Sequence, residues 1–213
     1  MFLSLISGSS GNSTLISDGS SVILADCGMS GKKLEEALSK LDMSASDIDA
    51  ILLTHEHVDH TRGVGVISRK YDIPIYATNG TCTNAQFGKI DEKNINLIKA
   101  GNDFEIGKIG ICPFGISHDA AEPIGFTFFH SGKKMALATD SGEVTDEIEK
   151  SILGSDEIIL ESNHDTDLLM YGTYPLSLKH RILGKLGHLS NNTAAETALK
   201  LLKSGTRKIM LGH

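Results

Sequence analysis

The stretch His55-Glu56-His57-Val58-Asp59-His60 follows directly on the apolar run Ile51–Thr54. No other feature constrains the chain as strongly. A buried strand that runs into three imidazoles and a carboxylate must place those groups together where the strand ends. Period-two alternation puts His55 and His57 on one side, and Asp59 and His60 come from the turn that follows. One short loop can then serve two cations. Imidazole suits zinc and similar transition ions, and carboxylate suits the harder ones. Three further candidates sit at strand ends, where loops gather side chains into sites. His118 follows the apolar strand Ile111–Ile116, Asp140 follows Lys134–Thr139, and His213 follows Lys208–Leu211.

The remaining pattern mixes strands and helices. Strands are expected near Ser13–Ile16, Ser21–Asp26, Ile48–Thr54 and Ile73–Ala77. Helices are expected after Gly28, with Leu34, Ala37, Leu38 and Leu41 on one face, and over Gly63–Tyr71. A run of strands follows at Gly110–Ile116, Ile124–His130 and Lys134–Thr139, then a short one at Ile158–Leu160. Residues 163–190 read as irregular or helical. Thr193-Ala-Ala-Glu196 reads as a capping box opening a helix that stops at Gly205. Strands mixed with helices, then clustered, then mixed again suggest two sheets between helices.

The length of 213 residues suits a single domain, and 40% hydrophobic residues supply a core. Trp is absent, so that core rests on Leu, Ile, Val and Ala. A formal net charge of −7 argues against a general nucleic-acid coat protein. It leaves a nuclease open, because bound divalent ions reverse the local field. Cys27, Cys82 and Cys112 form no C-x-x-C pair and read as packing thiols of a reducing cytoplasm. The N-terminus reads as a strand, not a signal peptide, and no apolar stretch reaches membrane-spanning length.

The pieces HEHVDH at 55–60, ISHD around His118, ATDSG around Asp140 and LGH at 211–213 resemble the metallo-β-lactamase superfamily. SGSSGNST at 7–14, ESNHD at 161–165, YPLSLKHRI at 174–182 and GHLSNNTAAE at 187–196 resemble its YycJ/WalJ-type branch, related to ribonuclease J and ribonuclease Z. The resemblance spans the whole chain. It implies an α+β fold, a four-layer αββα sandwich, over residues 1–213. It also implies two divalent ions, zinc or manganese. His55, His57 and His118 would hold one ion, Asp59, His60 and His213 the other, and Asp140 would bridge them. The family's pattern runs on past the final His, so a chain shortened at its C-terminus and a frayed His213 are expected. Asp59 and Asp140 would take part in catalysis.

Other residues follow from position. Asp26 ends a strand and is expected to orient a metal-binding His. The Ser7–Asn12 loop, with Ser9 and Asn12, is a candidate phosphate cradle. Ser190 and Asn191 precede a helix, where anions are favoured. His188 beside them is a candidate to protonate a leaving oxygen, and a rival to His213 as a ligand. Lys179 and Arg181 belong to the densest basic group and are candidate DNA contacts. His164 and Asp165 are placed at the cleft, while Glu56 is expected to point away from the ions. The expected activity is phosphodiester hydrolysis of nucleic acid; the resemblance alone implies DNA over RNA and a 5′ to 3′ direction. The competing reading is a small-molecule hydrolase of cyclic phosphodiesterase, thioesterase or lactamase type.

Overall fold

A computed structural model, which describes residues 1–213, has twelve strands and eight α-helices. The chain divides into two compact units, residues 1–113 with 120–124, and residues 114–119 with 125–213.

The first unit is built on a six-stranded sheet in sequence order: β1 (Phe2–Ile6), β2 (Ser13–Ser17), β3 (Val22–Ala25), β4 (Ala50–Leu52), β5 (Ile75–Ala77) and β6 (Ile95–Leu97). The first three strands pair antiparallel and the rest parallel. Parallel pairing needs crossovers. The segment with α1 (Gly31–Ser39) links β3 to β4, and that with α3 (Val64–Tyr71) links β4 to β5. Leu34 and Leu38 of α1 and Val64 and Ile67 of α3 are buried with Leu24, Ile51 and Ile75 of the sheet in one apolar core. The one-turn helix α2 (Val58–Thr61) carries Asp59 and His60. A turn was expected there, and it closes helically through Arg62 N–H to Val58 O at 3.0 Å. α4 (Asn79–Asn84) was not foreseen, because its sequence, NGTCTN, has no apolar stripe.

The second sheet has the order β12-β11-β10-β9-β8-β7, from β7 (Phe104–Ile106), β8 (Ile109–Gly115), β9 (Ile124–His130), β10 (Lys133–Ala138), β11 (Glu157–Glu161) and β12 (Lys208–Gly212). β11 lies between β10 and β12 and pairs parallel with both. That central place explains its unbroken Ile158-Ile159-Leu160 run, since both faces are buried. Ile148 and Ile152 of α5 (Asp146–Ile152) and Ala194 and Leu201 of α8 (Asn191–Lys203) cover Ala136, Ile158 and Leu160. α6 (Thr166–Tyr171) and α7 (Leu176–Leu183) occupy the stretch read as irregular or helical.

One cap differs from expectation. α8 opens at Ser190, whose side chain accepts the Thr193 N–H at 3.2 Å. The capping residue therefore lies three positions before the proposed Thr193-x-x-Glu196 box, and Thr193 is already inside the helix. No helix is long and apolar enough to cross a membrane.

Candidate metal centre

In the first unit, β4 ends just before Leu53-Thr54, and the imidazoles emerge from there. His55 and His60 are fully buried. Asp26, at the end of β3, organises them. Its backbone is left-handed, at φ 59°, a region a non-glycine residue enters only when its surroundings hold it. They do so here: Oδ1 accepts the Thr54 N–H and Oδ2 accepts the Thr54 hydroxyl, both at 2.9 Å. Oδ2 also lies 2.8 Å from His60 Nδ1. Because the Thr54 hydroxyl donates to Asp26, its oxygen is left to accept from His55 Nδ1 at 3.0 Å. This network assigns the Nδ1–H tautomer to both rings and leaves each Nε2 as the donor atom for a cation.

His55 Nε2 stands 3.0 Å from His57 Nδ1, with the two rings edge-on. A buried and a half-buried nitrogen at that separation suit a shared cation, with metal–nitrogen bonds of about 2.0–2.1 Å. The donor chemistry thus fits divalent metal. Removing Asp26 should release both rings. Asp26→Ala is expected to weaken metal binding about 10-fold to 100-fold, as loss of a supporting carboxylate usually does. A titration by isothermal calorimetry checks this, and unchanged affinity would refute the orienting role.

The Ser7–Asn12 loop is fastened to the same group. Asn12 N–H donates to Asp59 O at 2.7 Å, Gly28 N–H to Asn12 O at 2.8 Å, and Cys27 N–H to His60 O at 2.8 Å. The buried Asn12 amide nitrogen lies 3.0 Å from His60 Nε2, 3.2 Å from Gly8 O and 3.3 Å from Asp59 Oδ2. Asn12 is thereby spent on holding the loop and Asp59, while Ser9 is exposed at the loop tip. Glu56 turns aside, its Oε1 accepting Ala121 N–H at 2.7 Å. Burial and the neighbouring Asp26 push the Cys27 thiol up to about 12, which fits a packing role.

The second unit brings together Asp140, Glu161, His188 and His213, whose ligand atoms all lie within 4.8 Å of one another. Asp140 follows β10 as Asp26 follows β3, buried and left-handed at φ 60°. Its Oδ1 is 3.1 Å from His213 Nε2. Expected to fray, the His213 side chain is instead held. Asn163 Nδ2 donates to its carbonyl at 2.9 Å, and its Nδ1 lies 3.3 Å from Glu161 Oε1. Its ring also stacks on His188, centroids 4.8 Å apart. His118 Nδ1 donates to Gly187 O at 3.1 Å, which leaves its Nε2 as the donor atom.

Glu161 is the residue that sequence reasoning missed. It is fully buried, takes the Ser141 N–H on Oε2 at 2.7 Å, and holds His188 Nδ1 on Oε1 at 2.8 Å. Its signal was available: an acid closing the apolar strand Ile158–Leu160, the same placement that marked Asp26 and Asp140.

The basic candidates need revision. Lys179, expected on the DNA-facing surface, is buried, and its ammonium donates to Met170 O at 2.7 Å. It fastens α7 to α6 and leaves the set of DNA contacts. Arg181 forks onto Asp119, Nε to Oδ2 at 2.6 Å and Nη2 to Oδ1 at 3.1 Å, beside His118. Ser190 caps α8, and Asn191 Oδ1 accepts the Ser162 hydroxyl at 2.8 Å.

The Beta-lactamase superfamily domain matches residues 22–213. The chain belongs to the β-lactamase superfamily. Among its superfamily relatives is exodeoxyribonuclease WalJ of Streptococcus pneumoniae, 41% identical over 98% of this chain and 79% of that protein. Exodeoxyribonuclease YycJ of Bacillus anthracis is 38% identical over 100% of this chain and 81% of its own length. The metallo-β-lactamase fold protein YhfI from Bacillus subtilis superposes with a TM-score of 0.71 at 20% identity, covering 96% of this chain and 79% of that one. The two mixed sheets with flanking helices are therefore those of the α+β metallo-β-lactamase sandwich, as the sequence led us to expect.

Proposed function

We propose that this chain is a metal-dependent exodeoxyribonuclease that hydrolyses DNA from the 5′ toward the 3′ end. The observation that carries the reading is its 38–41% identity, along nearly its whole length, to proteins named exodeoxyribonuclease. The donor groups at the ends of β4, β10 and β12 support it. In this reading His55, His57 and His118 would hold one divalent ion, zinc or manganese, Asp59, His60 and His213 would hold another, and Asp140 would serve both. When bound, such ions supply Lewis-acid polarisation of the phosphoryl group and an activated water.

The chain's own residues then divide the remaining work. Asp26 and Thr54 keep the Nε2 atoms of His55 and His60 facing inward. Asn12 holds Asp59 in place. Glu161 keeps Nδ1 of His188 engaged, so Nε2 is the nitrogen that can pass a proton to the departing 3′ oxygen. Ser9 at the exposed loop tip and the first turn of α8, from Ser190 and Asn191, are the groups we assign to neighbouring phosphates.

End-labelled DNA and RNA, incubated with the protein and Mn²⁺ or Zn²⁺, test the proposal. Mononucleotides should leave the 5′ end of DNA. With two or three phosphate contacts, kcat/KM on DNA should fall roughly 10-fold to 40-fold between 50 and 200 mM salt, while a small chromogenic phosphodiester should change little. Cleavage of the small ester with no cleavage of DNA under either ion would overturn it.

A further inference from the structure

The second unit contains a cavity of about 380 Å³ that the metal centre does not use, lined by His164, Asp165, Leu168, Leu169, Thr173 and Tyr174. It lies beside the donor group. Asn163, which donates to His213, directly precedes His164, and His164 O accepts the Asn191 N–H at 2.8 Å.

Its lining has a definite chemistry. Both ring nitrogens of His164, one of the lining residues, are sealed from solvent and make no hydrogen bond. Burial pushes the His164 pKa below the ordinary imidazole range. Tyr174 and Leu168 are 56% and 77% exposed, large apolar groups left uncovered at the rim. The polar edge is Asp165. Its Oδ1 accepts the Leu168 N–H at 2.9 Å, and its charge repels a phosphate while accepting N–H donors. Flat apolar surfaces with a carboxylate at one edge suit an aromatic ring that carries N–H donors.

We propose that this cavity is a nucleobase subsite, in which one unpaired base of the DNA strand stacks on Tyr174 with an N–H donor of its edge toward Asp165. The inference rests on the exodeoxyribonuclease reading for its ligand, since a DNA end brought to the neighbouring donor group presents bases within reach. Stacking on an aromatic side chain tolerates any base, which suits an enzyme that must advance along arbitrary sequence.

The test uses short oligonucleotides carrying 2-aminopurine at each of the first four positions, mixed with the protein in EDTA. Stacking quenches 2-aminopurine, so binding at the subsite is read without turnover. We expect quenching at one position, its loss in Tyr174→Ala, and its retention in Tyr174→Phe. Tyr174→Ala should also raise KM on DNA about 5-fold to 100-fold and leave a small phosphodiester unaffected. Absence of quenching at saturation, or equal quenching by Tyr174→Ala, would overturn the subsite. If quenching follows Tyr174 but the metal-loaded protein cuts no DNA, the exonuclease reading falls and the base site stands.

Discussion

Replacing Asp140 by Ala is expected to lower both metal content and the rate of phosphodiester hydrolysis, the rate by more than ~100-fold. A supporting residue usually accounts for about 10-fold to 100-fold in metal affinity or activity, and a shared ligand should exceed it. Two losses coincide. The buried carboxylate disappears, and His213 Nε2 loses the Oδ1 atom 3.1 Å away. Backbone strain complicates the Ala variant, because Asp140 sits at φ 60° and Ala avoids that region. Asn tolerates it, so Asp140→Asn removes the charge while sparing the backbone. Elemental analysis of both variants, alongside rates on a small phosphodiester, separates the effects. If Asp140→Asn keeps full metal load and full rate, the charge of Asp140 has no part in the chemistry.

Gly28→Ala is expected to be the most damaging single-methyl change in the first unit. A Cβ at Gly28 would stand 1.6 Å from Asp59 O and 2.5 Å from Asn12 N. Both are backbone atoms, so no rotamer change relieves the clash. The three segments can only separate, and with them go the Asn12-to-Asp59 and Cys27-to-His60 backbone bonds. A cost of about 4 kcal/mol or more places this among the rare severe substitutions. In a chain of this size it corresponds to a fall of roughly 8–16 °C in Tm. Calorimetry checks the value. Gly19→Ala is the control, because nothing lies within 4 Å of a Cβ there, although its φ of 93° adds some strain. A Tm for Gly28→Ala no lower than that of Gly19→Ala would show that the loop yields cheaply.

The comparison of sequence with structure turns on local against distant information. The strands around the donors were legible because their apolar runs are short, uninterrupted and bounded by polar groups. Ile124–His130 appears with the limits its pattern suggested. β6 and β7, at three residues each, are too short for a period to register. The site followed the same division. His55, His57, Asp59 and His60 announce themselves because one hexapeptide holds them. Glu161 did not, because its importance lies in meeting His188 and His213, 27 and 52 positions away.

Lys179 shows the opposite error. A lysine in a basic group reads as a solvated charge, and only the path of α6 places Met170 O where its ammonium can be satisfied. From sequence alone came the candidate imidazole and carboxylate donors and their places at strand ends, because apolar period and residue chemistry are local properties, while the fold family came from the resemblance of the motifs that carry them. The tertiary structure decided which atom of each donor is presented, through Asp26, Thr54 and Glu161. It also decided which polar side chains are spent on the scaffold. Both depend on hydrogen bonds between segments distant in the chain, and no spacing rule records those.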